Sequence, residues 1–423
     1  MRYLSAHYVF PVSSPPLRKG IICVNDDGCI IDVMNTGGKL EAREKLEFYN
    51  GILVPGFVNA HCHLELSHLR NVIHPHGGLP DFILSVGKVR RASDEIIMAA
   101  AKAADEKMTG NGVVAVGDIS NNACTLPIKR NSAMWYRTFI EVFGLDDRRS
   151  EEIFTAAKQV EQEYRRAGMP VSIVPHAIYS VSQVLWKTLH QSYVLSPPQV
   201  ISMHHQESSE EMDVFWEGKG ELADMFRKNG LLTDPKPKTR TANRKIDEAN
   251  PSAKSNLNGE SHDRRSQTRN KEMIDCLQEA SRCLLVHNTF STKDDLAKYI
   301  LQPGQYYFVL CPRSNLFIQD RLPDLLLFSV QKLCQNICLG TDSFASNTSL
   351  SILEEMKIIQ QHATEISFDM LLQWATLNGA KALGFDHLLG SFEKGKVPGI
   401  NLITRIDYEN QRLTAGSTVK PLI

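Results

Sequence analysis

Eight short apolar runs rich in β-branched residues recur along the chain, at 52–63, 113–120, 136–144, 171–176, 200–204, 283–287, 307–311 and 337–342. Stretches with helical periodicity separate them, among them 94–108, 150–166, 210–228 and 350–363. Such alternation predicts a parallel sheet, because each right-handed crossover lets the next strand run in the same direction. Eight repeats predict an α/β fold of the (β/α)8 TIM-barrel type, with its chemistry at the C-terminal ends of the strands. With 42% apolar residues in a chain of 423, there is enough material for such a core.

The two chain ends read differently. Residues 1–50 contain short strand patterns at 3–10, 20–24 and 29–34, with the turn Asn25-Asp26-Asp27-Gly28 between two of them. Beyond Leu383, a turn at 390–397 leads into another strand at 401–406. The expectation is a small β-sandwich domain built from 1–50 and 385–423, flanking a barrel over 51–384. One stretch, 233–272, has only five apolar side chains, with ten Lys/Arg against six Asp/Glu. It cannot bury enough surface to offset its ordering entropy, so it is expected as a disordered insertion between strands five and six.

Charge and cysteine usage narrow the function. A net charge of −1 argues against nucleic acid as partner, and no apolar run is long enough to span a membrane. Residues 1–11 lack the pattern of a secretory signal. The nine cysteines (23, 29, 62, 124, 276, 283, 311, 334 and 338) form no CxxC pair, which suits a reduced, cytoplasmic setting better than a disulfide framework. A small molecule is the expected partner.

Polar residues gather at the strand ends. His61 and His63 close the first run, and strand alternation points both imidazoles the same way, with Cys62 on the other face. His176 ends the fourth run, His204 the fifth, His287 the sixth and Asp342 the eighth. Burying so many polar groups at one rim without a cation would require many compensating hydrogen bonds. Three His and one Asp are a donor set for a single divalent metal, zinc or iron, with a position left for water.

These residues sit in motifs that resemble the amidohydrolase superfamily, in its cytosine/adenosine-deaminase-like branch. The motifs are Pro55-Gly-Phe-Val-Asn-Ala-His-Cys-His-Leu-Glu-Leu-Ser67, His204-His-Gln-Glu207, Val286-His-Asn288, Cys311-Pro-Arg-Ser-Asn315 and Gly340-Thr-Asp-Ser-Phe-Ala-Ser-Asn347. Their form is similar to aminodeoxyfutalosine deaminases. The resemblance implies one metal bound by His61, His63, His204 and Asp342, with His287 orienting the attacking water. The fourth strand has no Lys, which speaks against the two-metal variant of the family.

A deaminase mechanism follows from the resemblance. Water ionised by the metal attacks the amine-bearing ring carbon, Asp342 accepts its proton, and Glu207 protonates the ring nitrogen. Glu65, His176, Arg313 and Asn315 are the expected substrate contacts. The stretch 87–91 is basic where methylthioadenosine and adenosylhomocysteine deaminases carry a Glu. A second reading keeps the metal and hydrolyses a cyclic amide, lactone or chlorinated ring instead. A homodimer is common among similar proteins.

Overall fold

The computed structural model describes residues 1–231, 275–300, 304–329 and 333–423. The charged segment expected at 233–272 lies outside the described residues.

The chain opens with β1 (Arg2–Val9), β2 (Leu17–Arg18), β3 (Ile21–Val24), β4 (Ile30–Met34) and β5 (Leu46–Pro55). Eight parallel-sheet strands follow: β6 (Phe57–Cys62), β7 (Val113–Ser120), β8 (Trp135–Val142), β9 (Val171–Pro175), β10 (Val200–His205), β11 (Arg282–His287), β12 (Tyr306–Leu310) and β13 (Ile337–Leu339). A hairpin, β14 (Ile400–Asp407) and β15 (Arg412–Pro421), ends the chain.

The flanking strands form one seven-stranded sheet in the order β15-β14-β5-β1-β3-β4, with β2 paired to β1. By hydrogen bonding it is a single sheet rather than the two facing sheets of the expected sandwich. Leu4, Ile22, Val24, Leu53, Phe392 and Ile400 form its own small core. The first apolar run also proves to be two strands. Its front half continues β5, which pairs parallel with β1 and antiparallel with β14, and its back half is β6. They part at Gly56, where a Cβ would lie 2.2 Å from Val114 Cγ1 and 2.6 Å from the Pro398 carbonyl. Only glycine fits so close an approach.

The eight inner strands are arranged as two four-stranded parallel sheets, β6-β7-β8-β9 and β10-β11-β12-β13. Nearly every residue in them is buried, as expected of strands covered on both faces. Two isolated parallel bridges connect the sheets, Ala177 with His204 and Cys62 with Asp342. At the second, the His61 carbonyl accepts the N–H groups of both Thr341 and Asp342 at 3.0 Å. The helix expected over 210–228 is two, Glu210–Glu217 and Glu221–Lys228. Gly218 (φ 60) and Gly220 (φ 89) break it by taking left-handed backbone. Among the described residues, no helix is long and apolar enough to cross a membrane.

Candidate metal centre and active site

The imidazoles of His61, His63, His204 and His287 converge from the ends of β6, β10 and β11. Ring centroids lie 4.9 Å apart for His61–His63 and for His61–His204, and 5.4 Å apart for His204–His287. The donors fall into two overlapping triads that share His61: His61, His63 and Asp342, and His61, His204 and His287. His61 Nε2 and His63 Nε2 are 3.1 Å apart, and Asp342 Oδ1 lies 3.7 and 3.4 Å from them. Adjacent ligands of a tetrahedral zinc ion with bonds of about 2.0–2.1 Å stand roughly 3.3 Å apart, so these three atoms suit a divalent ion.

Protonation states agree with that donor set. Burial pushes His61, His63 and His204 below the usual imidazole range, with neighbouring imidazoles adding to the effect at His61 and His204. His204 Nδ1 donates to the His176 carbonyl at 3.0 Å, which leaves Nε2 as the bare nitrogen. Burial tends to raise Asp342, but His63, His287 and His61, with the Ser314 hydroxyl, outweigh it and hold the carboxyl well below its usual range. Ser314 and Ser346 both donate to Oδ2 at 2.6 Å, so Oδ1 is the oxygen left facing the imidazoles.

The ends of these strands are strained. His287 (φ 75) and Asp342 (φ 56) take left-handed backbone that residues other than glycine rarely adopt. Each such residue costs on the order of 1–3 kcal/mol and persists where its surroundings over-determine it, as at functional sites.

Glu207 lies beside this cluster, buried, with Oε1 3.6 Å from His287 Nε2. Burial, then the charge of Asp342, pushes it well above the usual carboxylate range. Its neighbour Glu211 accepts the N–H groups of Gln206, Glu207 and Ser208 at 3.0, 2.6 and 3.1 Å. Those donors restrain Glu211, which burial and Glu207 push up to about 8.

Next to these residues opens a cavity of about 260 Å³. His63, His204, Glu207, His287 and Asp342 form its floor, and Leu79, Phe82, Ile83, Val86, Phe226 and Leu231 contribute an apolar wall. His176 also lines it, stacked on His204 at 4.6 Å and hydrogen-bonded through Nδ1 to Ser180 Oγ at 2.9 Å. The other three expected substrate contacts do not line the cavity. Asn315 lies behind His287 and accepts from its Nδ1 at 2.8 Å. Arg313 donates to Asn347 Oδ1 at 3.0 Å and to Thr348, bracing the loop after Asp342. Glu65 is buried one layer back, accepting from Asn121 N at 3.0 Å and from Arg90 Nη2 at 3.3 Å.

The reason for Arg313 and Asn315 is local. A helix, Pro312–Gln319, starts immediately after β12, and its turn of about 100° per residue aims Ser314 at Asp342 and its neighbours elsewhere. Arg90, from the basic stretch 87–91, lines the cavity, and so do Asn121, Glu141 and Tyr179, which had not been singled out. Glu141 ends β8 with Oε1 3.5 Å from His204 Nδ1, and burial, then Glu65, pushes it up to about 8. An acidic residue at the end of the third strand was the available signal.

The chain is 26% identical over 422 residues to 5-methylthioadenosine/S-adenosylhomocysteine deaminase of Saccharophagus degradans, covering 93% of this chain and 81% of that protein. Its fold matches that of Helicobacter pylori aminofutalosine deaminase in complex with methylthio-coformycin, at a TM-score of 0.72 and 21% identity, covering 98% of this chain and 94% of the other. It also matches an adenosine deaminase from Xanthomonas campestris with bound zinc, at a TM-score of 0.66 and 19% identity, covering 97% and 86%. A sequence profile of the Amidohydrolase family matches residues 52–183 and 254–419. With so much of the chain matched, including both ends of the donor cluster, the protein belongs to the Amidohydrolase family.

Proposed function

We propose that the protein is a hydrolytic deaminase that removes the amino group of an aminated, nucleoside-like heterocycle, using one divalent metal, zinc or iron, held by His61, His63, His204 and Asp342. The observation that carries this reading is Glu207: a buried carboxyl outside the donor set, at the edge of the cavity and 3.6 Å from His287 Nε2, where burial favours its protonated form. Deamination needs such an acid, because ring nitrogen becomes basic when aromaticity is lost. The two relatives named above that deaminate nucleosides support it.

When bound, the ion lowers the pKa of a coordinated water towards about 7, so that the nucleophile forms at neutral pH. Asp342, whose carboxyl is held below its usual range, would take the proton that the attacking water gives up. Glu207 delivers its proton to the ring nitrogen, the proton on Asp342 leaves with ammonia, and the proton of the added hydroxyl returns to Glu207 as the carbonyl forms. His287, fixed by Asn315, keeps Nε2 turned towards the reacting centre. The apolar wall excludes bulk water from the ring.

The same reading takes the eight inner strands as one closed (β/α)8 barrel, supported by the bridges at both seams, and the terminal strands as a separate flanking domain. Nine free cysteines favour a reducing, cytoplasmic compartment.

The test is ammonia release from a panel of aminated purine nucleosides and pterins by metal-loaded protein, with Glu207→Gln as control. Turnover that falls about 10²–10⁴-fold in the variant is expected. Hydrolysis of cyclic amides without ammonia would overturn the assignment.

A further inference from the structure

Asp118 and Lys129 form an ion pair that is completely buried, with Lys129 Nζ 2.6 Å from Asp118 Oδ2. Neither lines the cavity, so neither touches substrate. Lys129 also donates to Ser120 Oγ at 2.8 Å and to Thr138 Oγ1 and the Tyr164 hydroxyl at 3.3 Å. Burial works against its charge, but Asp118 and Tyr164 more than offset that and hold Lys129 above its usual range. Buried pairs of this kind are often replaced by apolar groups with no loss of stability, so stability alone accounts poorly for it.

The second oxygen of Asp118 shows what the pair acts on. Oδ1 accepts the backbone N–H of Leu64 at 2.7 Å. Leu64 follows His63 and opens the 3-10 turn Leu64–Leu69, whose N-cap, His63, makes no side-chain capping bond. The first N–H groups of a helical turn have no partner within it, and Asp118 supplies one from the neighbouring strand. The β6–β7 ladder shifts register between Asn59 and Cys62 and ends with Asp118 paired to Cys62, so Asp118 lies beside the start of this turn. One residue further on, Glu65 accepts from Asn121 N, a second link between the same two segments.

We propose that Asp118, fixed by Lys129, is a positioning residue that clamps the turn after β6 and so holds the His63 imidazole in the orientation the metal centre needs. This rests on His63 being a ligand. Two charge-free double variants separate clamp from fold: Asp118→Asn/Lys129→Met keeps an acceptor for Leu64 N–H, and Asp118→Leu/Lys129→Met removes it. Zinc affinity is read by chelator competition, the ligand field by the visible spectrum of cobalt-loaded protein, and folding by the melting transition.

The acceptor-keeping variant is expected to bind zinc within a few-fold of wild type. The acceptor-free one should bind about 10–100-fold more weakly, with an altered cobalt spectrum, while still melting cooperatively. Equal zinc affinity and spectra in the two folded variants would overturn the proposal while leaving the deaminase reading intact. Loss of cooperative folding in both would also overturn it, since the pair would then serve the fold. A wild type that binds no zinc or cobalt would overturn both readings.

Discussion

Glu207 and Asp342 are buried carboxyls in one cavity, and their surroundings drive them in opposite directions. Around Asp342 the imidazoles and two hydroxyls favour the anion; around Glu207 nothing offsets burial. On the proposed function the two would act as base and acid, which is how one site runs both halves of a proton transfer. Glu207 works in its protonated form, so kcat/KM should fall on the alkaline side as it ionises, and Glu207→Gln should remove that limb along with most of the rate. An unchanged alkaline limb in the variant would count against its role as the acid. Asn315→Leu deprives His287 Nδ1 of its acceptor and is expected to lower kcat by about 10–100-fold with little change in melting temperature. Steady-state kinetics beside a thermal melt would check it. The rim histidines and Asp342 were legible from sequence because strand alternation and a shared parallel strand direction bring such side chains to the same end of the strands. Arg313 and Asn315 were not, since a helix that starts one residue earlier or later redirects every side chain on it.

At the level of elements, the join between β5 and β6 is the most constrained point outside the site. The apolar run over 52–63 reads as one strand because hydrophobicity carries no mark of a change of sheet. The mark is Gly56, and its meaning depends on Val114 and Pro398, remote in sequence. Gly56→Ala should destabilise by roughly 1–3 kcal/mol through forced displacement of that contact. Urea unfolding followed by circular dichroism would measure it, and an unchanged midpoint would show that the two sheets can part without cost. The capping role of Glu211 was equally hidden: an acid in the first turn of a helix looks like dipole compensation, whereas here it gathers three N–H groups of the preceding turn. Glu211→Gln should loosen 206–208 and lower kcat more than it raises KM, which a Michaelis–Menten comparison would reveal.

For the whole molecule, the centre is assembled from segments far apart in sequence, from the end of β6 to the loop after β13, so an ion bound there would favour only the folded chain. Chelation should lower the melting temperature, and re-added zinc should restore it. The stabilisation expected is about 2.7 kcal/mol at a hundredfold excess over Kd. A melt indifferent to chelator would deny the protein a resident ion. Most of this architecture was readable in advance, since eight strand–helix repeats admit few topologies. What escaped was the flanking sheet's single hydrogen-bonded order, which arises from pairing between the two chain termini.

The bridge from Cys62 to Asp342, with one carbonyl serving two amides, has a consequence for biosynthesis. While the ribosome is still making β13, His61 and His63 have already been made but lack the carboxylate of Asp342 that pairs with them. On the proposed ligand set, metal capture would therefore come late in the protein's birth, and a truncated product ending before β13 would lack the carboxylate of that set.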